Sequence, residues 1–128
     1  MKPSHSLLAG LVLTAASAVT MAAELPFDQK TFDELRNSGK PVVIHVYAVW
    51  CGTCKVQAGI VTPLLSEPEF ASLTLLKADF DKEKKLIQAI NVSDRSTFVA
   101  FKGATEVGRS VAYMNKESIA SLLRKTLE

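Results

Sequence analysis

Two cysteines three positions apart constrain this chain more than any other feature. Cys51 and Cys54 are its only cysteines. That count excludes a multi-disulfide scaffold and a four-thiolate zinc site within one chain. The pair also sits at a junction. Pro41–Tyr47 (PVVIHVY) is a β-branched run that fits a buried strand, and a helical stretch begins at Cys51. Positions i and i+3 of a first helical turn lie close enough for a disulfide. The helix start adds unpaired N–H groups and a partial positive charge, both of which favour a thiolate. The more N-terminal sulfur gains most, which predicts Cys51 as the nucleophile toward a substrate disulfide. Cys54 then resolves the mixed disulfide by attacking Cys51. A structural disulfide is the plain alternative. So short a loop gains little closure entropy, so stabilisation alone is a poor use of the spacing.

The rest of the chain reads as one domain behind a leader. Lys2 supplies a short positive region and Leu7–Ala18 an uncharged apolar run. Ala22 and Ala23 offer small residues for cleavage before Glu24. This is the order of a secretory signal peptide over residues 1–23, followed by a domain over 24–128. An uncleaved N-terminal membrane anchor is the alternative. Export would place the cysteines where disulfides persist, with the periplasm as the natural compartment. The chain has 128 residues, 48% hydrophobic and 22% charged, with a net charge of +2. These values suit a globular domain and give no sign of a nucleic-acid partner.

Alternating patterns suggest the order α-β-α-β-α-β-β-α. Phe27–Ser38 reads as a helix with a capping box at Thr31 and Glu34, ended by Gly39. Thr62-Pro63 is expected to interrupt or end the helix that starts at Cys51. A short turn is expected around Pro68 and a strand over Leu73–Asp79. Asp81 is the expected cap of a helix over Lys82–Ile90. Thr97–Phe101 and Glu106–Val111 suggest a hairpin. Asn115 is the expected cap of a last helix with Ile119, Leu122, Leu123 and Leu127 on one stripe. The pattern implies a compact α/β domain.

Trp50-Cys51-Gly52-Thr53-Cys54, with the strand before it and the late hairpin TFVAFKGATEVGRSV, resembles the thioredoxin family. The resemblance covers essentially Phe27–Glu128. It implies a thioredoxin-like fold, a central mixed β-sheet flanked by helices, and dithiol–disulfide exchange through a redox-active Cys51–Cys54 disulfide with no other cofactor. It carries the nucleophile role to Cys51 and the resolving role to Cys54, in agreement with the helix-end argument. It also implies that substrate meets Trp50, Gly52, Thr53, Arg95, Ser96 and Thr97.

Four departures from the family pattern bear on mechanism. His45 stands where the family usually has a buried Asp, so it is either a proton relay or a neutral, hydrogen-bonded core histidine. Ser96 stands where the family has a cis-proline facing the cysteines. A cis bond before any other residue costs roughly 3–4 kcal/mol. The Arg95–Ser96 bond is therefore either trans with a changed loop or a strained cis bond held by packing. Retention of the family's backbone shape is the favoured expectation. Either way a hydroxyl comes near the sulfurs, and Arg95 brings a charge suited to thiolate or acidic substrate groups; a solvated loop cation is its plain alternative. Gly52-Thr53 replaces the common Gly-Pro, and that dipeptide tunes a potential spanning roughly −270 to −120 mV in the family. Ala112 stands where a Gly is frequent.

The function expected is an exported thiol–disulfide oxidoreductase. Its partners are protein disulfide substrates and a membrane redox partner, and it acts as a monomer. Reduction is favoured over disulfide formation. The alternative from another class is a soft-metal module that holds Cu(I) on the same thiolates; no metal site is otherwise expected.

Overall fold

The computed structural model of the protein describes residues 1–4, 8–16 and 20–128. Leu7 and Ala18, the ends of the expected apolar leader run, lie outside the described residues, as does His5. Among the described residues no helix is long and apolar enough to cross a membrane.

The elements are β1 (Ala23–Pro26), α1 (Gln29–Asn37), β2 (Pro41–Tyr47), α2 (Gly52–Leu65), β3 (Thr74–Asp79), α3 (Lys84–Ala89), β4 (Thr97–Lys102), β5 (Thr105–Val111) and α4 (Lys116–Arg124). One sheet runs in the order β1-β3-β2-β4-β5. Its β1, β3 and β2 strands are parallel, β4 runs antiparallel to β2, and β5 runs antiparallel to β4. The central strand β2 is buried along most of its length, as expected of a β-branched run covered on both faces.

Strand alternation sorts the core into two layers. Val42, Ile44 and Val46 pack with Phe32, Leu76, Leu86 and Phe101 on the face that carries α1 and α3. Val43 packs with Val61, Leu64, Phe98, Ile119 and Leu123 beneath α2 and α4. His45 has the parity of Val43, so the strand turns it toward α2. One sheet position thereby places a histidine under the helix that carries the cysteines.

Several local expectations need correction. The cap of α1 is Asp28, whose carboxylate accepts the Thr31 N–H at 2.9 Å. The Thr31 hydroxyl also donates to that carboxylate at 2.8 Å, which leaves no capping box with Glu34. Helix α2 continues through Pro63 to Leu65. Pro63 lies in the last turn: its missing N–H leaves the Gly59 carbonyl without its helical donor, and the helix runs only as far as Leu65. Helix α3 begins at Lys84, and Asp81 does not cap it. The Asp79 carbonyl accepts the N–H groups of Lys82 and Glu83 and keeps them in a preceding turn. Leu127 leaves the α4 stripe in a closing 3-10 turn, in which Thr126 turns inward instead. Strand β1 is an addition. Its half-exposed edge residues carry no clear alternation. It spans the expected cleavage point, so a chain cut after Ala23 keeps Glu24–Pro26 to pair with Leu75–Lys77.

Candidate active site

The β2–α2 junction builds the site. Strand β2 ends at Tyr47, and Cys51 is the N-cap of α2. Cys51 and Cys54 form a disulfide with Cα atoms 5.3 Å apart. The Cys54 N–H donates to Cys51 Sγ at 3.1 Å. The sulfur thus occupies the place of a capping oxygen and takes an N–H that the helix leaves without a backbone partner. A negative charge developing on Cys51 meets that donor and the positive end of the helix.

Ser96 closes the site from the α3–β4 loop. Its Oγ lies 3.2 Å from Cys51 Sγ and 3.3 Å from Cys54 Sγ, within reach of both sulfurs. No peptide among the described residues is cis, so the expected retention of the family backbone shape does not hold at Arg95–Ser96. Ser96 instead adopts φ +61°, a left-handed conformation. Such a residue persists only where its surroundings hold it. Here its carbonyl accepts the Ala112 N–H at 2.9 Å and the Gln57 side-chain amide at 3.0 Å. Ala112 in the facing loop has φ +60°. A glycine would meet no Cβ penalty at that position.

His45 is 1% exposed. Its ring stacks on Phe98 with centroids 4.3 Å apart, and Nε2 lies 3.0 Å from Gln57 Oε1. Burial is the main cause that lowers its pKa from 6.5 to about 4; the nearby Lys77 charge lowers it further, and the Gln57 hydrogen bond works in the other direction. The imidazole is therefore neutral near pH 7. Its Nδ1 is buried without a partner. The ring borders a cavity of about 240 Å³, lined also by Tyr47, Ala48, Cys54, Lys55 and Lys77.

The remaining sequence candidates spread over the rim. Trp50 is largely exposed and donates its indole N–H to Asp81 at 2.8 Å. Arg95 stacks its guanidinium 4.8 Å over the Trp50 ring and pairs with Asp94 at 2.7 Å. It is half-buried, not a freely solvated cation. Gly52 is exposed and Thr53 half-buried at the start of α2. Thr97 is buried, and its hydroxyl donates to the Asp94 carbonyl at 2.8 Å. Exposed Val49, Tyr113 and Met114 extend the rim with apolar surface. Among the described residues, no three His, Cys, Asp or Glu side chains gather into a metal cluster. Cys51 and Cys54 are the soft donors of this site.

Sequence reading missed Gln57. It is fully buried, and its Nε2 donates to the carbonyls of Ser96 and Tyr113, both at 3.0 Å. The signal was present: Cys54, Gln57, Val61 and Leu64 follow helical spacing along one inward stripe.

The thioredoxin family model matches residues 23–125. The chain belongs to the thioredoxin family. The thioredoxin of Chlamydia trachomatis is 34% identical over 97 residues, covering 76% of this chain and 92% of that protein. A bifunctional thioredoxin reductase/thioredoxin of Mycobacterium leprae is 33% identical over 97 residues, which are 76% of this chain and 20% of that larger protein. Among solved structures, Trxlp of Edwardsiella tarda is similar with a TM-score of 0.77 and 33% identity, covering 79% of this chain and 98% of that one. This thioredoxin-family protein is a thiol–disulfide oxidoreductase whose disulfide-capable pair is Cys51–Cys54.

Proposed function

We propose that the protein is exported and reduces disulfides of other proteins. The observation that carries the reading is the donor pair on Cys51 Sγ: the Cys54 N–H at 3.1 Å and the Ser96 hydroxyl at 3.2 Å. In the reduced protein these donors favour a Cys51 thiolate, the nucleophile of exchange. Cys51 attacks one sulfur of the substrate disulfide and expels the other as thiolate. Cys54 then gives up its proton and attacks Cys51 Sγ, which expels the second substrate thiolate. Two electrons pass to the substrate, and the Cys51–Cys54 disulfide remains. His45, neutral and bordering the same cavity as Cys54, relays the proton of the resolving thiol toward the departing thiolate without holding it.

The apolar rim of Val49, Trp50, Tyr113 and Met114 suits an extended polypeptide, and Arg95 favours acidic residues beside the substrate cysteine. The reductive direction draws support from the Mycobacterium leprae relative, whose name joins a thioredoxin reductase to a thioredoxin. The leader pattern around Lys2, Leu7–Ala18 and Ala22-Ala23 supports export. Each turnover consumes one dithiol. An exported reductase therefore needs a membrane partner that returns electrons.

Purified protein with a dithiol donor should reduce insulin, and Cys51→Ser should abolish the reaction. The Cys51–Cys54 potential decides direction. A value nearer −270 mV than −120 mV supports reduction, and the reverse supports disulfide formation (both limits are approximate). Fractionation of the native host tests export; full-length protein retained in the cytosol would refute that part.

A further inference from the structure

Gln57 joins His45 and Ser96, two of the positions singled out in the sequence as departures from the family pattern. One end of its side chain meets His45 and the other meets the Ser96 backbone. The amide has no freedom in how it does so. Its two hydrogens go to the Ser96 and Tyr113 carbonyls. A half-turn of the amide would set its oxygen against those two carbonyls and leave both without a donor. Buried polar groups do not tolerate such an arrangement. Oε1 must therefore be the atom that faces His45. Since Oε1 only accepts, His45 Nε2 must carry the hydrogen. A neutral imidazole holds one hydrogen, so Nδ1 keeps the lone pair. That atom is the one buried without a partner.

We infer that Gln57 is a positioning residue of the exchange reaction: it holds His45 in the Nε2–H form, leaves the Nδ1 lone pair open on a ring that borders the Cys54 cavity, and ties the Ser96 and Tyr113 loops to the cysteine helix. The tautomer follows from geometry alone. Its effect on rate rests on the proposed roles of Cys54 and His45. In that step the Cys54 S–H bond breaks and its proton goes to Nδ1. The sulfur's electron pair forms the bond to Cys51 Sγ, and the bond from Cys51 to the substrate sulfur breaks. The proton then leaves His45 for solvent or for the departing thiolate. The groups around His45 are Lys77 from β3, Gln57 and Phe98 from α2 and β4, and Tyr47, Cys54 and Lys55 around the cavity. None of them is a carboxylate, so the Gln57 oxygen is the acceptor that selects the tautomer.

Long-range proton–nitrogen correlation on the 15N-labelled oxidised protein at neutral pH reads the tautomer directly. The expected His45 signals are a protonated-type Nε2 and an unprotonated-type Nδ1. The opposite pattern overturns the inference without touching the oxidoreductase assignment, and this reading needs no variant to fold. Gln57→Met fills similar space without hydrogen-bonding groups. It should lose the pure Nε2–H pattern. Single-turnover resolution of the mixed disulfide should slow by roughly 10- to 100-fold, the scale of a displaced proton acceptor, while the first attack by Cys51 changes little. A Gln57→Met protein with unchanged His45 signals or with wild-type resolution refutes the positioning role. Wild-type resolution in His45→Leu refutes instead the use of His45 as the proton acceptor.

Discussion

Lowering the pH from 7 to 5 should destabilise the oxidised protein through His45. In the folded state burial holds the pKa of this imidazole at about 4, against 6.5 for the ordinary side chain. Between those values the unfolded chain binds a proton that the folded chain refuses. Stability attributable to His45 is therefore whole above pH 6.5 and falls as the pH drops toward about 4. One pKa unit corresponds to about 1.36 kcal/mol, so the full loss is about 3 kcal/mol, with about 2 kcal/mol lost by pH 5. Asp28, Glu69 and Glu106 also have lowered pKa values, from causes led by hydrogen bonds to Thr31, Arg124 and Arg109. Their stability is lost only below the ordinary carboxylate range, which starts near 4.5 for Glu. Between 6.5 and 4.5 the His45 shift therefore acts ahead of these three carboxylates. Urea unfolding of wild type and His45→Leu at pH 7, 6 and 5 isolates the effect. The variant leaves Gln57 Oε1 unpaired, a pH-independent offset of about 1–3 kcal/mol. His5 is present in both proteins and cancels. The gap between the two proteins should narrow by about 2 kcal/mol from pH 7 to pH 5. Parallel curves across this range would refute the assignment of a buried, neutral His45.

Cys54→Ser should complete the first attack and stop there, with substrate held covalently on Cys51 and visible by mass spectrometry under non-reducing conditions. Ser96→Ala removes the hydroxyl that reaches both sulfurs. Hydrogen bonds to charged groups contribute about 1.5–3 kcal/mol, so the pH midpoint of Cys51 alkylation in the reduced protein should rise by about one to two units. Ala112→Gly relieves the φ of +60° and should stabilise the fold by about 0.5–1 kcal/mol in urea unfolding, with the greater freedom of glycine in the unfolded chain offsetting the rest.

The sequence was most legible where a pattern repeats over neighbouring residues. The PVVIHVY run became the central strand with the boundaries its composition suggests. Asn115 caps the last helix, accepting the Ser118 N–H at 3.1 Å. The Thr97 and Glu106 stretches pair as the expected hairpin. Errors arose where several residues compete for one role. Asp28, Thr31 and Glu34 all have capping chemistry, and the carboxylate nearest the free N–H groups took it. Asp81 does not cap α3, and its carboxylate accepts the Trp50 indole N–H instead. Strand β1 escaped notice because it pairs on one edge only and buries too little to show a period.

By itself the sequence determined the site's chemistry. The spacing of Cys51 and Cys54 at a strand-to-helix junction sets two sulfurs on one helical turn, and that geometry is local. Tertiary structure alone decided what surrounds them. Gln57 reaches His45 across 12 positions, Ser96 across 39 and Tyr113 across 56. Such contacts leave no periodic trace in the chain, because they depend on how the sheet brings distant loops over one helix. The trans bond and left-handed turn at Ser96 have the same origin. Its carbonyl is held by Ala112 and Gln57, from two separate elements. The chain names the sulfurs, and the packing around them sets which atoms can give or take a proton.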